Sequence, residues 1–290
     1  MQSIIIFGAN GQDGYYLADL YRRQGFEVIG ISRTGDWLRG DVASFEFVEG
    51  LVRSRKPDVI FHLAATSTTR HEAIFENHST IGTGSLNILE AVYRWQQRCK
   101  VFLAGSGLQF LNTGEPIHET DAFYASSAYS IERIQSVYLA RYFRTLGVRV
   151  YVGYLFHHES PRRRPNHVSE KIVQAVKRIA AGSDEKLELG DISVEKEWAF
   201  AGDIAEGMAV LVGQDQVFEA VIGTGKTHTI EDWLKICFAS IGKDWTNHVT
   251  LQEGFTAEYK RLFSNPKTMH SLGWRPKVNF AELADIMLRS

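Results

Sequence analysis

The chain has 290 residues, a formal net charge of −2 and 23% charged residues. This length allows one large or two small domains around a sizeable core, and this charge does not favour nucleic acid or an anionic membrane as a partner. Two cysteines, Cys99 and Cys237, are too few for a disulfide scaffold and favour a reducing, cytoplasmic location. We find no signal-peptide pattern and no stretch of about 18 apolar residues, so we expect no membrane span.

The first half of the chain alternates short apolar runs with amphipathic stretches. Runs rich in Val, Ile and Phe predict buried strands at Ile4–Phe7, Glu27–Ile31, Asp58–Leu63, Val101–Leu103 and Arg149–Phe156. The stretches between them predict helices near Leu17–Gln24, Phe45–Arg55, Ile81–Gln97 and Ile131–Leu146. Strands that alternate with helices predict βαβ units, and therefore an α/β fold with a doubly wound parallel sheet covered on both faces.

The pattern changes after Phe156. A polar segment at residues 157–166 comes first. Beyond it the sequence predicts, in order, a helix, a strand, a helix, a strand and two helices, at Val168–Ala180, Leu187–Leu189, Asp203–Val212, Val217–Ile222, Glu231–Ser240 and Phe280–Leu288. We expect two regions, 1–156 and 157–290, with the second interleaved with the last sheet elements near residues 187–223.

A glycine-rich segment directly follows the first predicted strand and opens the first predicted helix. Its G-x-x-G-x-x-G spacing runs from Gly8 to Gly14 and includes Asn10, Gly11, Gln12 and Asp13. Glycines let the backbone approach a pyrophosphate, and the helix N-terminus then offers N–H groups and a partial positive charge. Because a strand precedes the segment and a helix follows it, we predict a dinucleotide site rather than an ordinary glycine turn.

The end of the second predicted strand indicates which dinucleotide binds. NAD sites usually place Asp or Glu there to accept hydrogen bonds from the ribose, whereas this chain has Ser32 and Arg33. An arginine suits a 2′-phosphate through charge-assisted hydrogen bonds, so we expect NADP(H). Asp36 lies a little further on and would serve NAD if its loop folded back.

Several groups of residues match the motifs of one known protein family, in the same order along the chain. They are Gly11–Gly14 with Tyr16–Ala18, Leu63–Ala65 with Ser67, His158–Arg163, Leu189 and Gly190 with Trp198, and Leu272–Trp274 with Pro276. Together they resemble the GDP-mannose 4,6-dehydratase branch of the extended short-chain dehydrogenase/reductases. The resemblance implies a Rossmann sheet with a small C-terminal substrate domain, NADP, a GDP-sugar, and transient oxidation or reduction at sugar C4. Residues 1–156 would then hold the cofactor and residues 157–290 mainly the substrate.

The resemblance also implies roles for single residues. Beside the glycine-rich turn, the cofactor would contact Asp41 and Val42 near the adenine, and Leu63, Ala64, Ala65, His158 and Arg163 along its length. The substrate would contact Ser67, His157, Val168, Lys171, Lys196 and Glu258. His157 replaces a usual asparagine, Lys196 stands where the family usually has an arginine near the diphosphate, and Glu258 matches a carboxylate that binds guanine.

The catalytic signature of the extended family is Tyr-x-x-x-Lys on a helix, with an upstream Ser or Thr. Here Tyr129 is followed four residues later by Arg133, and Ser106 follows the strand Val101–Leu103. Positions i and i+4 share a helix face, so both side chains can face the cofactor. A tyrosine needs a nearby cation to exchange a proton near neutral pH, and arginine keeps the charge of lysine with a different shape. The alternative is an ordinary helix tyrosine with a solvated arginine beside it.

One departure concerns the reaction itself. The dehydratases carry Thr-Ser-Glu at the end of the fourth strand, and the resemblance gives that glutamate the acid–base role in losing water across C5 and C6. Here Ser106 is followed by Gly107 and Leu108, and leucine cannot move a proton; Glu115 and Glu119 lie further along the loop. Ketone reduction needs only a hydride, a proton from the tyrosine and a serine that orients the oxygen. We therefore expect NADPH-dependent reduction of a GDP-linked 4-keto-6-deoxy hexose or heptose.

Three alternatives stay open. A GDP-mannose-type 4,6-dehydratase would use another carboxylate, and a sugar epimerase would use the same tyrosine. A nucleotide-binding protein that has lost catalysis would explain Arg133 in place of lysine. Phe255 stands where the family has an arginine, three residues before Glu258, and leaves the base open.

The remaining features bear on partners. The run Arg162–Arg164 fits a phosphate contact or a solvated surface rather than nucleic acid, and the adjacent His157 and His158 point apart, so we expect no metal site. The loop Arg33–Asp41 is shorter than in the tetrameric dehydratases, where it crosses to a neighbour. We expect a homodimer, with a core or dimer face at Ile131, Ile134, Val137 and Tyr138.

Overall fold

The strands of the protein form one large sheet and several small ones. The computed structural model describes residues 2–290. Over these residues the strands are β1 (Ser3–Phe7), β2 (Glu27–Ser32), β3 (Leu38–Arg39), β4 (Val59–His62), β5 (Lys100–Ser106), β6 (Arg149–Leu155), β7 (His158–Glu159), β8 (Leu187–Leu189), β9 (Glu195–Glu197), β10 (Ala199–Phe200), β11 (Glu219–Ile222), β12 (Thr227–Thr229), β13 (Val249–Leu251) and β14 (Arg261–Leu262).

Helices connect these strands. The α-helices over the same residues are α1 (Gln12–Arg23), α2 (Phe45–Arg55), α3 (Ile74–Asn77), α4 (Gly84–Trp95), α5 (Ala128–Thr145), α6 (Val168–Ala180), α7 (Ala201–Val212), α8 (Ile230–Ala239), α9 (Lys267–Ser271) and α10 (Phe280–Leu288). A π-helical segment, His78–Thr83, joins α3 to α4, and a short 3₁₀ turn, Gly107–Gln109, follows β5. Within residues 2–290, no helix is both long and apolar enough to cross a bilayer.

The large sheet has the order β11-β6-β5-β4-β1-β2-β3, and all its neighbours are parallel. The doubly wound α/β fold predicted from the sequence is therefore confirmed. The strand order reverses between β1 and β4, and in such sheets ligands bind in the crevice outside the carboxyl ends of the strands at this point. The seventh strand, β11, comes from the second half of the chain and pairs with β6.

Both faces of the large sheet are buried. One face packs on α2, α4 and α5 around residues such as Val52, Ile88 and Val137. The other packs on α1 and α7 around Leu17 and Ile204. This two-sided burial explains why β1 and β4 are continuous apolar runs rather than alternating ones.

A third apolar cluster lies in the second half of the chain. There α6, α8 and α10 pack together around Trp198 and Trp233, whose rings stack with centroids 4.6 Å apart. The small sheet β12-β9-β14 lies beside this cluster. The cluster places the N-terminus of α6 next to the crevice of the large sheet, where Val168 lines a cavity.

The polar segment predicted at residues 157–166 is partly buried. It contains β7, which pairs with β10, and His158, Glu159 and Ser160 are all buried. Charged and polar groups from other segments surround these side chains, which offsets the cost of burying them.

Candidate functional site

The glycine-rich turn between β1 and α1 requires glycine at two positions. Gly8 has φ +89°, and a Cβ there would lie 2.6 Å from the amide nitrogen of Ala64. A Cβ on Gly14 would lie 2.5 Å from the carbonyl oxygen of Gly8. The N-cap residue of α1 is Gly11, which has no side chain to occupy the first-turn N–H groups. The turn therefore presents bare backbone and a helix N-terminus to a cavity of about 320 Å³, which suits a pyrophosphate.

A second cavity, of about 250 Å³, continues from the turn towards the end of β2. Its walls include the predicted residues Gly8, Asn10, Gly11, Arg33, Asp41, Val42, Leu63, Ala64 and Ala65, and not Asp36. Arg33 is held by Glu76, with 2.8 Å between its Nη2 and the carboxylate. The residues present thus fit the adenosine half of a dinucleotide, although the predicted phosphate ligand Arg33 already has an anionic partner.

The three predicted catalytic residues line one cavity of about 440 Å³ at the carboxyl edge of the sheet. Tyr129 and Arg133 lie on α5, with the guanidinium carbon 4.9 Å from the centre of the tyrosine ring. Arg133 is buried and donates a hydrogen bond from Nη1 to the carbonyl oxygen of Ala104 on β5. The positive charge is therefore fixed beside the phenol, so Arg133 is not a solvated side chain.

Ser106 ends β5 and caps the short turn that follows. Its amide donates to the side-chain oxygen of Gln109 over 2.8 Å, and its Oγ accepts from the amide of Leu108 over 3.2 Å. Because Oγ is used as an acceptor there, the hydroxyl proton remains available to donate into the cavity. The arrangement suits a donor that orients a substrate oxygen.

Leu108 lines the same cavity, and carboxylates are scarce around it. Among residues 2–290, the carboxylates that line this cavity are Asp13 and Glu258, whereas Glu115 and Glu119 do not reach it. Burial raises the pKa of the Glu258 carboxyl above its ordinary value. Of these two carboxylates, Glu258 is therefore the one that holds a proton more readily.

Asp13 has a different environment, because His158 binds it. His158 Nε2 lies 2.9 Å from the Asp13 carboxylate, and His158 Nδ1 lies 2.6 Å from the carbonyl oxygen of Phe156. Burial opposes a charge on the imidazole, but Asp13 raises the pKa of His158 above its ordinary value. Both neighbours of the ring are acceptors, which requires both ring nitrogens to carry protons. His158 is thus an imidazolium paired with the Asp13 carboxylate.

Gln12 strengthens the same connection between the turn and β7. Its amide nitrogen donates to the carbonyl oxygen of His158 over 3.2 Å, and its oxygen accepts from Ser160 over 3.0 Å. Gln12 also lines the pyrophosphate cavity. The sequence predicted Gln12 as a cofactor ligand, and its side-chain bonds go to the protein.

The substrate side of the large cavity contains a buried charge network. Lys196 Nζ lies 3.4 Å from Glu159 and 4.3 Å from the centre of the Trp198 ring. Glu159 also pairs with Arg163 at 3.1 Å and accepts from Ser169 over 2.6 Å. Burial alone would raise the pKa of Glu159, but Arg163 and Lys196 bring it down to about 2. Two cations around one carboxylate leave a net positive charge, which suits a diphosphate.

His157 faces this network and bonds Tyr259. Its Nε2 and the Tyr259 hydroxyl are 2.9 Å apart. Burial and the charge of Lys196 hold the pKa of His157 well below its usual value, so the imidazole is neutral. No residue among 2–290 accepts from or donates to the buried Nδ1 of His157, although the residue lines the cavity.

The chain is similar to a known protein family over most of its length. The family model described as GDP-mannose 4,6 dehydratase matches residues 34–287. GDP-mannose 4,6 dehydratase 1 of Arabidopsis thaliana is 31% identical, over 98% of this chain and 88% of the relative.

The chain belongs to the GDP-mannose 4,6-dehydratase family.

Solved structures show the same fold as this family member. UDP-glucose 4-epimerase of Thermus thermophilus, in complex with NAD, has a TM-score of 0.84 and 21% identity, over 99% of this chain and 98% of that one. RMD from Pseudomonas aeruginosa, complexed with NADPH, has a TM-score of 0.85 and 19% identity, over 100% and 98%.

Family membership confirms the resemblance drawn from the sequence. The names of the matching family model and of the Arabidopsis relative support the dehydratase, which the sequence left as the alternative, better than the reductase it favoured.

In this family member nearly all the predicted site residues line the three connected cavities. The large cavity adds Ser67, His157, Val168, Lys196 and Glu258 to the catalytic residues. Lys171 is the exception: it does not line these cavities, and its Nζ donates to the carbonyl oxygen of Glu188 over 2.6 Å. Its role as a substrate ligand stays a prediction.

Sequence reasoning also missed residues that line the site. Tyr259 directly follows the predicted Glu258 in the chain, and this adjacency is the signal that could have found it. Arg70 and Thr69 gave no such signal, because they lie in a loop whose path follows from the tertiary structure. Arg164, in contrast, belongs to the arginine run that the sequence predicted as a phosphate contact or a solvated surface, and it lines the cavity at the end of β2.

Proposed function

We propose that this family member uses NADP(H) to carry out redox chemistry at C4 of a GDP-linked sugar. The observation that supports this best is the single cavity lined by Ser106, Tyr129 and Arg133, continuous with the glycine-rich turn. When bound, the nicotinamide supplies or takes up a hydride. Residues 1–156 would hold this cofactor, and residues 157–290 mainly the sugar nucleotide.

The chain's own residues perform the proton chemistry. The Ser106 hydroxyl donates a hydrogen bond to the C4 oxygen, and Tyr129 Oη gives that oxygen a proton as the hydride reaches C4, so a ketone becomes an alcohol. Arg133 stabilises the tyrosinate left behind, because its guanidinium is held 4.9 Å from the ring. The Lys196 region holds the diphosphate, and Glu258 contacts the base.

Ketone reduction is the reaction that the geometry supports best. Leucine at position 108 offers no proton, and Asp13 is engaged by His158. A 4-keto-6-deoxy sugar needs one hydride and one proton, and both have a source in this cavity. The substrate we propose is therefore a GDP-linked 4-keto-6-deoxy hexose or heptose.

Dehydration is the second candidate, because the curated relative from Arabidopsis is a GDP-mannose 4,6 dehydratase. It requires a carboxyl group in place of Leu108, and Glu258, with its raised pKa, is the cavity residue that offers one. An epimerase would use Tyr129 and the cofactor alone.

Two assays separate these reactions. The protein with NADPH and a GDP-4-keto-6-deoxy sugar should consume NADPH, whereas the protein with NADP⁺ and GDP-mannose should yield no 4-keto product. Activity only in the second assay would establish dehydration, and Glu258→Gln would then test the carboxylate. If neither assay shows activity although NADPH binds, then either the guanine base or the catalytic assignment is wrong. A screen of UDP-, dTDP- and CDP-sugars would distinguish these two errors.

A further inference from the structure

Two arginines from distant parts of the chain line the ribose end of the cofactor groove. Arg33 follows β2, and Arg164 lies in the loop after β7; both line the cavity of about 250 Å³. Arg164 also lines the pyrophosphate cavity beside the glycine-rich turn. Among residues 2–290, it is the only charged side chain that lines both cavities. Its position therefore spans the join between pyrophosphate and adenosine ribose.

The arginines of this region differ in what they are bound to. Arg33 pairs with Glu76, Arg163 pairs with Glu159, and the guanidinium of Arg162 lies 3.4 Å from the centre of the Tyr15 ring. Arg164, in contrast, forms no ion pair with any residue in the described range 2–290. The charge of Arg164, like that of Arg33, lowers the pKa of the Glu76 carboxyl, so two cations face one carboxylate here and leave a net positive charge at the ribose.

Glu76 limits what Arg33 can do alone. A hydrogen bond from Thr66, together with Arg33, holds the pKa of Glu76 below its ordinary value, so Glu76 is ionised at neutral pH. A 2′-phosphate has a charge of about −1.5 to −2 and strong acceptor oxygens, and it must compete with Glu76 for Arg33. A second cation nearby strengthens the attraction for the phosphate.

We infer that Arg164, acting with Arg33, binds the 2′-phosphate of NADP(H) and sets the preference of this protein for NADP(H) over NAD(H). The inference rests on the proposed use of NADP(H). It assigns the selectivity to two segments, one from each half of the chain, rather than to the β2 loop alone. Arg164 contacts the cofactor directly in this assignment and takes no part in the proton chemistry.

Equilibrium titration of NADPH and of NADH, followed by cofactor fluorescence, tests this directly. Arg164→Ala should weaken the binding of NADPH roughly 10- to 100-fold, the range for charge-assisted hydrogen bonds. The affinity for NADH should change by less than about 2-fold. Arg164→Lys should fall between, because it keeps the charge without the planar guanidinium. Arg162→Ala is the matched control. It removes the same charge two residues away and should change the affinities for NADPH and NADH by the same factor.

Each outcome has one meaning. An NADPH affinity unchanged by Arg164→Ala, in a protein that prefers NADPH, overturns the inference and leaves the proposed function standing. Equal weakening of NADPH and NADH also overturns it, because Arg164 would then bind the pyrophosphate. Equal affinities in the unsubstituted protein reject NADP(H) use itself, before any variant is made. Because the Arg164 side chain is exposed, the thermal unfolding temperature of Arg164→Ala should match that of the unsubstituted protein.

Discussion

Replacing Tyr129 by phenylalanine isolates the proton transfer that we propose. The substitution removes one hydroxyl and keeps the ring, which is 9% exposed and lies 4.9 Å from the Arg133 guanidinium. Phenylalanine supports the same cation–π contact, so the free energy of unfolding should change by no more than about 1 kcal/mol. A positioned acid typically contributes about 10²- to 10⁴-fold to a rate. We therefore expect kcat for ketone reduction to fall by that factor.

The assay is NADPH consumption with a GDP-4-keto-6-deoxy sugar, alongside a fluorescence titration of NADPH and a thermal melt. Tyr138→Phe is the matched control, since Tyr138 lies on the same helix and is 59% exposed. The control should keep full activity. A kcat for Tyr129→Phe within about threefold of the unsubstituted protein would refute Tyr129 as the proton donor, and a parallel loss of NADPH affinity would show a binding role instead.

Three further predictions concern the fold around the site. Gly14→Ala should destabilise the protein by about 1–3 kcal/mol and abolish cofactor binding, because its Cβ would lie 2.5 Å from the Gly8 oxygen, whereas Gly50→Ala, in open space, should be neutral or stabilising in the same melts. Glu219, bound by Arg141 and Arg144, has a pKa lowered to about 2 against the opposing effect of burial, so its stabilisation is complete above pH 4.5 and is lost as pH falls towards 2. Urea unfolding should show Glu219→Gln to be about 2–3 kcal/mol less stable at pH 7 and the difference to shrink by pH 3; a constant difference would contradict the assignment. Light scattering should show a homodimer that an arginine at the exposed Tyr138 converts to monomer, and a tetramer would contradict the short loop at residues 33–41.

The sequence predicted the large sheet well because burial on both faces leaves a strong apolar signal. The helices Phe45–Arg55 and Val168–Ala180 agree with their predictions residue for residue, since each buries a regular apolar face. In contrast, α1 begins five residues before the predicted Leu17, because its first turn faces the cofactor groove and carries no apolar periodicity. The three-residue strands β9 and β12 were missed because their sequences, Glu-Lys-Glu and Thr-His-Thr, contain no apolar residue, whereas the equally short β8 was predicted from Leu187 and Leu189.

The site was predicted where local motifs define it and missed where tertiary contacts do. Tyr129, Arg133 and Ser106 lie at fixed positions relative to strands and helices, and they converge as expected. The pairing of Arg33 with Glu76, and of Glu159 with Lys196, joins segments far apart in the chain. The spacing of residues along the sequence does not predict such a pair, because the packing of the helices and strands determines which residues meet.

The pairing of β11 with β6 has a consequence for synthesis and for truncation. When the ribosome has produced only the first 156 residues, β6 has no neighbour on one side, and its backbone N–H and C=O groups form an open edge. Tyr154 would also lose Glu219, whose carboxylate accepts a hydrogen bond from its hydroxyl over 2.7 Å. A fragment cut at this boundary should therefore aggregate, and the nascent chain needs residues 219–222 before its large sheet is complete.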